Sequence, residues 1–370
     1  MTYIEIDTPD RLTVLLQRTL QINQHVFLNL DLTALERLVA KNTFSDCIFL
    51  GCTLPDELRE RLDDSCLILP NISVPYSIYR SALYSSMELY AGYDPADPTS
   101  FDNCFDSRVY RHYLEQGKTT RNIRITLARS LHDHSISDAM HDFLSSYDER
   151  HIVGIMGGHG LLRTDDMYGK IARISKRLTE LGYLMISGGG PGAMEATHLG
   201  AWFAGRSEEE LDEALQILRV APTFRDEGWL TTAFEVINRW PQQTFFSLGV
   251  PTWLYGHEPA TPFATHIAKY FENSIREDGI LTIAKGGIIY SPGSAGTLQE
   301  IFQDAVQNHY LSFGYASPMV FLGSDYWTNE IPIYPLLNEL ADKGRYRNLL
   351  LSMADCEEEI VSNITSFGKE

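Results

Sequence analysis

Twice beyond residue 150 a short apolar run breaks into glycines and then into a helix-forming stretch: YLMIS (183–187) before GGGPGAME, and GGIIYS (286–291) before PGSAGTLQE. A strand, a tight glycine turn and a helix in that order read as a crossover to a parallel neighbour, not as a hairpin. The surrounding segments agree. HIVGIMGG (151–158) is a bounded apolar run, and Met167, Ile171, Ile174, Leu178 and Leu181 follow it at helical spacings of four, three, four and three. SEEELDEALQILR (207–219), GWLTTAFEVINRW (228–240) and stretches near 262–277 and 296–311 read as further helices, with VPTWLY (250–255) and SPMVFLG (317–323) as further strands. The expected fold is α/β: a doubly wound, Rossmann-like parallel sheet over 149–370, preceded by a separate mixed domain over 1–148.

The first half is less regular. It holds short apolar segments, a proline-rich patch YDPADPTS (93–100) and no glycine-rich turn. FSDCIFLGC (44–52) repeats Phe and Cys at intervals of five, a pattern like a pentapeptide solenoid, but two copies are too few to build one. LHDHSISDAMHDF (131–143) gathers His132, Asp133, His134 and His141. Without a second cluster to complete a ligand set, it reads as the polar start of a helix rather than a metal site. This half is expected to regulate or assemble, so that a fragment beginning near Asp148 would keep the chemistry.

Composition excludes several function classes. A net charge of −19 with no offsetting Lys/Arg stripe argues against nucleic-acid binding. Five scattered cysteines without a CxxC argue against a disulfide framework or a zinc site. No basic region leads into an apolar core at the N-terminus, and no apolar run is long enough for a membrane span. The expectation is a soluble protein of the reducing cytoplasm that needs no metal.

The chemistry therefore falls to the loops. Gly188, Gly189, Gly190 and Gly192 open one helix; Pro292, Gly293, Ser294, Ala295, Gly296 and Thr297 open another. Glycine tolerates positive φ and lets backbone N–H groups approach a ligand, and a helix N-terminus adds partial positive charge, so both loops suit an anion such as phosphate. Neither ends in Gly-Lys-Ser/Thr as a P-loop does, and GGHG (157–160) lacks the acidic residue that completes a dinucleotide fingerprint. Lys285, in AKGG, reads as a charge at a helix end and not as a Schiff-base lysine. Thr297 and Glu300 have the spacing of a capping box, but if the loop holds a phosphate, Glu300 stands beside whatever the phosphate carries. A carboxylate one sugar ring away from a phosphate suggests chemistry at C1 of a ribose 5-phosphate, where the transition state is oxocarbenium-like.

SGGGPGAMEA (187–196) and PGSAGTLQE (292–300) resemble the paired signatures of the LOG family of phosphoribohydrolases over about residues 150–365, and the long N-terminal part is more similar to the bacterial nucleotide 5′-monophosphate nucleosidases of that family. The resemblance implies hydrolysis of a nucleoside 5′-monophosphate to free base and ribose 5-phosphate, without a cofactor, by a homo-oligomer of two or more chains. It places Glu300 and Arg276 in the catalytic roles and Gly188, Gly189, Gly190, Gly293, Ser294, Gly296 and Thr297 at the phosphate, with Gly158 and His159 as further substrate contacts. Two departures stand out. Ser294 occupies the place of the signature's middle glycine, and the Arg-Lys pair of the short enzymes appears as Arg276-Glu277. A nucleotide-binding sensor that keeps the fold without hydrolysis is the alternative expectation.

Overall fold

A computed structural model describes residues 3–367. The chain divides into two compact units: the described residues up to Leu83 with His112–Asp142, and Tyr84–Arg111 with the residues from Phe143 onward.

The second unit is built on seven strands, β1 (Ile152–Met156), β2 (Leu184–Ser187), β3 (Ser247–Gly249), β4 (His266–Ile267), β5 (Gly287–Tyr290), β6 (Pro318–Leu322) and β7 (Leu350–Ala354). Every pairing is parallel, in the spatial order β4-β3-β2-β1-β5-β6-β7. The helices that return the chain are α1 (Asp166–Glu180), α2 (Ala193–Trp202), α3 (Glu208–Leu218), α4 (Trp229–Arg239), α5 (Asn273–Ile283), α6 (Ala295–Tyr310), α7 (Ile333–Asp342) and α8 (Glu357–Phe367). Both faces of the sheet are covered. Val153, Ile155, Met185, Ile289 and Val320 share one core with Ile171, Ile174, Leu199 and Ile360 of α1, α2 and α8, whereas Tyr290, one residue on from Ile289, points the other way and reaches Asp304 of α6. Strands buried on both sides must be apolar throughout, which is why IVGIM and PMVFL carry no alternation.

This is the doubly wound α/β architecture the sequence indicates, with two local differences. VPTWLY is not a strand: the strand is Ser247–Gly249, Thr252 adds an isolated bridge to Tyr270, and Trp253–Tyr255 forms a single 3₁₀ turn. The stretch 262–277 is not one helix, because His266–Ile267 is drawn into the sheet edge and α5 begins only at Asn273. A run so uniformly buried, Ala264 and Ile267 to Phe271, has no polar face from which to read a period.

The boundary expected at residue 148 is replaced by an interleaved one. Tyr84 exchanges backbone hydrogen bonds with Ile267 at 3.0 and 2.8 Å. Tyr90 and Cys104 pack with Trp229, Leu230 and Phe234. Asp106 is fully buried against Lys269, Nζ to its two carboxylate oxygens at 2.7 and 2.8 Å, and accepts from Trp253 Nε1 at 2.9 Å. An ion pair out of water leaves either partner costly if the other is removed.

In the first unit, Ile4–Ile6, His25–Leu28, Ile48–Leu50 and Leu67–Leu69 form a parallel sheet, and Gln21–Asn23 pairs in parallel with Thr43–Ser45. Left-handed residues turn each coil, Gln24 and Asn29 in one and Asp46 and Gly51, 22 residues further on, in the next. Phe44, Cys47, Phe49 and Cys52 all point inward, and Phe27 stacks on Phe49 with ring centroids 4.9 Å apart. The fivefold spacing thus marks the inward positions on either side of a corner, in a short stack of coils whose true period is longer. His132 and Asp133 lie inside the helix Ile123–Leu144, not at its start; His132 Nδ1 is 2.9 Å from Asp133, while His134 and His141 are exposed. Among the described residues no group of three or more His, Cys, Asp or Glu could hold a metal ion, and no helix is long and apolar enough to cross a membrane.

A fragment starting at Asp148 would strip Asp106 from Lys269. It is expected to be insoluble or to unfold without cooperativity in a urea titration, contrary to the expectation from sequence; a fragment with a cooperative transition close to that of the full chain would show that Tyr84–Arg111 is dispensable.

Candidate functional site

The strand order reverses between β1 and β5: β2, β3 and β4 extend to one side of β1, while β5, β6 and β7 extend to the other. In such sheets the crevice outside the carboxyl ends at this switch is where ligands bind. The loops that follow β1, β2 and β5 meet there. Gly158 N donates to Pro292 O at 3.1 Å, and Ala193 N, at the start of α2, donates to Gly158 O at 3.2 Å.

Glycine is required by this contact. A Cβ on Gly157 would fall inside Ser291 Oγ; one on Gly293 would collide with Thr297 and come within 3.0 Å of Gly158 N. Gly192 has φ +70 and backs onto the carbonyls of Gly158 and His159, and Gly189, also at φ +70, lies against Gly249. A Cβ on Gly190 would come within 2.9 Å of Met194 Cε. Gly296 differs, with no neighbour within 4 Å of where a Cβ would lie. Its openness sits in the exposed first turn of α6, with Ser294 and Ala295. Ser294 has φ −109, so the backbone there makes no demand for glycine, and a serine in place of the signature's middle glycine is accommodated.

The capping-box reading of Thr297-x-x-Glu300 does not hold. Ser294 is the N-cap and α6 begins at Ala295, which puts Thr297 in the first turn and Glu300 a turn deeper, out of register with any cap amide. Glu300 is half-buried, and burial pushes its carboxyl up to about 7; Arg276 pulls it down and Glu277 pushes it further up. Arg276, on α5, donates Nε to Val250 O at 3.0 Å and lies over Gly188, where a Cβ would come within 2.7 Å of Nη2. Arg276 and Glu300, 24 residues apart, thus share one electrostatic site, and Gly188 makes room for the guanidinium.

His159 is placed elsewhere. It is 51% exposed, with Nε2 3.9 Å from Glu258 Oε1, and lines a cavity of about 160 Å³ with Pro191, Gly192, Phe224, Arg225 and Trp229, whose lining includes neither Arg276 nor Glu300. Lys285 is paired with Glu149 at 2.6 Å, a charge at the surface.

Several supporting groups carry no motif. Arg163 is buried and clamps the loop after β1 to α2, donating to Glu195 at 2.9 and 2.5 Å and to Thr232 Oγ1 at 2.9 Å. His198 is buried beneath the glycine loop, Nε2 at 2.8 Å from Ser187 Oγ and Nδ1 at 2.9 Å from Ser247 Oγ, and burial depresses it to about 3. Ser187 Oγ in turn accepts from Gly189 N at 3.2 Å. Tyr326 donates to Gly293 O at 2.6 Å. Asp304, one turn beyond Glu300, is fully buried, accepts from Tyr290 at 2.7 Å and is pushed up to about 7 by burial. In sequence Arg163, His198, Asp304 and Tyr326 lie outside both loop signatures, and nothing there distinguishes them from surface residues of the same type.

No family model and no curated protein matches the chain. Among solved structures, the molybdenum cofactor binding protein of Rippkaea orientalis is 16% identical, with 58% of this chain and 95% of that chain covered and a TM-score of 0.37. The Moco carrier protein of Chlamydomonas rheinhardtii is 16% identical, with 59% of this chain and 98% of that chain covered and a TM-score of 0.35. The fold assignment rests on the sheet topology itself.

The contrast between two glycines tests the geometry. Gly293→Ala is expected to lower stability and to weaken the binding of any anion held by the loop amides. Gly296→Ala has room inside a helix and should raise stability by about 0.5 to 1 kcal/mol, while weakening the binding of any phosphate that uses the open first turn. Denaturant melts and calorimetric AMP titrations of both variants check this; unchanged AMP affinity in Gly296→Ala would remove that turn from the site.

Proposed function

We propose that the chain hydrolyses the N-glycosidic bond of a nucleoside 5′-monophosphate, giving free base and ribose 5-phosphate. The observation that carries this reading is Glu300: released from any capping role, placed a turn inside the helix whose first turn is open, and held near neutrality beside Arg276. A group with a pKa near the operating pH is the most effective general base.

In this reading the amides of the glycine loops and the first turn of α6 hold the phosphate, with charge-assisted hydrogen bonds contributing about 1.5 to 3 kcal/mol each. Glu300 takes a proton from water as the water oxygen bonds to C1′ and the C1′–N bond breaks. Its negative charge also favours the cationic ribosyl transition state. The departing base leaves with the bonding electron pair and takes up the proton that Glu300 removed from water, which returns Glu300 to its ionised form, and Arg276 contacts the phosphate or the base. The resemblance of the two loop signatures to the LOG family supports the same assignment, as does the α/β sheet with its crevice at the switch point. A sensor that binds nucleotide without cleaving it would share the loops but would have no use for a base tuned to neutrality.

Two outcomes follow. Glu300→Gln should lower turnover by a factor of about a hundred to ten thousand with nucleotide binding and melting temperature nearly intact; wild-type turnover in this variant would take Glu300 out of the mechanism. Because the base must be ionised, kcat/KM should rise with pH through about 7 and level off above it, and a profile flat across that range would contradict the role.

A further inference from the structure

Arg276 and Glu300 stand on different helices, and what fixes one helix against the other is a pair of amide-carboxylate rungs. Gln299 Nε2 donates to Glu277 Oε2 at 2.9 Å, and Gln303 Nε2, four residues on, donates to Asp278 Oδ1 at 2.9 Å. Glu277 is held from its own helix too, accepting from Asn273 Nδ2 at 2.6 Å, and its Oε1 lies 4.0 Å from Arg276 Nη1. Two side chains therefore hydrogen-bond this carboxylate, one to each oxygen, and the donor from α6 is the immediate neighbour of Glu300. Such anchoring exceeds what a solvated helix charge requires.

We propose that Glu277 is the second carboxylate of the site, a positioning residue whose fixed negative charge holds Glu300 ready to take up and return a proton in the hydrolysis proposed above. The inference rests on that reading for its purpose but not for its geometry. The charged and titratable groups that act on or face Glu300 are Arg276 and Glu277 of α5, Tyr290 of β5 and, one turn along its own helix, Asp304. Of these, Arg276 favours the ionised form of Glu300 and Glu277 opposes it. A pair of carboxylates in unlike settings is how one site keeps a proton mobile near neutral pH. Glu277 accepts amide hydrogen bonds, and Glu300 is crowded by burial.

The test uses the full-length protein and two substitutions. Glu277→Gln removes the charge and keeps an oxygen for Asn273. Gln299→Lys, at an exposed position, offsets the charge without touching the core. Titration of the Glu300 carboxyl by infrared difference spectroscopy, its band identified by loss in Glu300→Gln, should show a midpoint lowered by roughly half a pH unit or more in both variants. The acid limb of kcat/KM should move the same way, and Glu277→Asp should restore the wild-type midpoint. A midpoint unmoved in both Glu277→Gln and Gln299→Lys overturns the proposal even if nucleotides are hydrolysed. A lowered midpoint in a protein that hydrolyses none supports the role of Glu277 while removing the proposed reaction.

Discussion

The hydrogen bond from Gly158 N to Pro292 O is the contact on which the rest of the site depends. It joins the loops that leave β1 and β5, the two strands on either side of the point where the sheet changes direction. The carbonyl of the same Gly158 receives Ala193 N, so the loop before α2 is held as well. Backbones this close leave no space for side chains at 157, 192 and 293. The clamp of Arg163 on Glu195 and the bond from Tyr326 to Gly293 O hold the arrangement from outside. Gly296, in the first turn of α6, is the glycine of this arrangement left without a neighbour.

Burial sets the electrostatics behind that opening. Glu300 and Asp304, both on α6, are pushed up to about 7, whereas His198 under the glycine loop is depressed to about 3. The effects on stability have opposite signs. The carboxyls bind protons more tightly folded than unfolded, so their contribution is present at low pH and is lost as pH rises through about 7; neutral His198 contributes above its unfolded value and loses this as pH falls toward about 3. A protein that keeps two carboxyls at such a disadvantage above neutrality gives up stability at the same place where its proposed chemistry needs a base.

The second unit was largely legible in the sequence because long apolar runs, glycine turns and amphipathic helices repeat in order, and each signal is local. Legibility failed where long-range contacts decide. Asp106 looks like a surface acid until it meets Lys269, 163 positions away, and this ion pair helps draw Tyr84–Arg111 into the unit expected from sequence to begin only near 148. In the first unit, strands of three or four residues are too short for alternation to show, and only the spacing of Phe44, Cys47, Phe49 and Cys52 hinted at stacked coils. At the site, Gly188, Gly293, Arg276 and Glu300 were readable from the resemblance of the loops; the structure sets Arg276 over Gly188 and within electrostatic reach of Glu300, and Gly293 against Gly158. Glu277, Asp304 and His198 were not readable, since each matters only through a partner on another element. His159, expected as a further substrate contact, lines a neighbouring cavity.

Whether the chain cleaves nucleotides is tested most directly by incubating the purified full-length protein with AMP, GMP, CMP, UMP and IMP, alongside the matching nucleosides, and separating the products by chromatography. The account requires free base and ribose 5-phosphate in equal amounts from at least one monophosphate, and no base from its nucleoside at the same concentration. Tight binding of a monophosphate with no base released, under conditions where Glu300 is ionised, would contradict it and leave a nucleotide sensor.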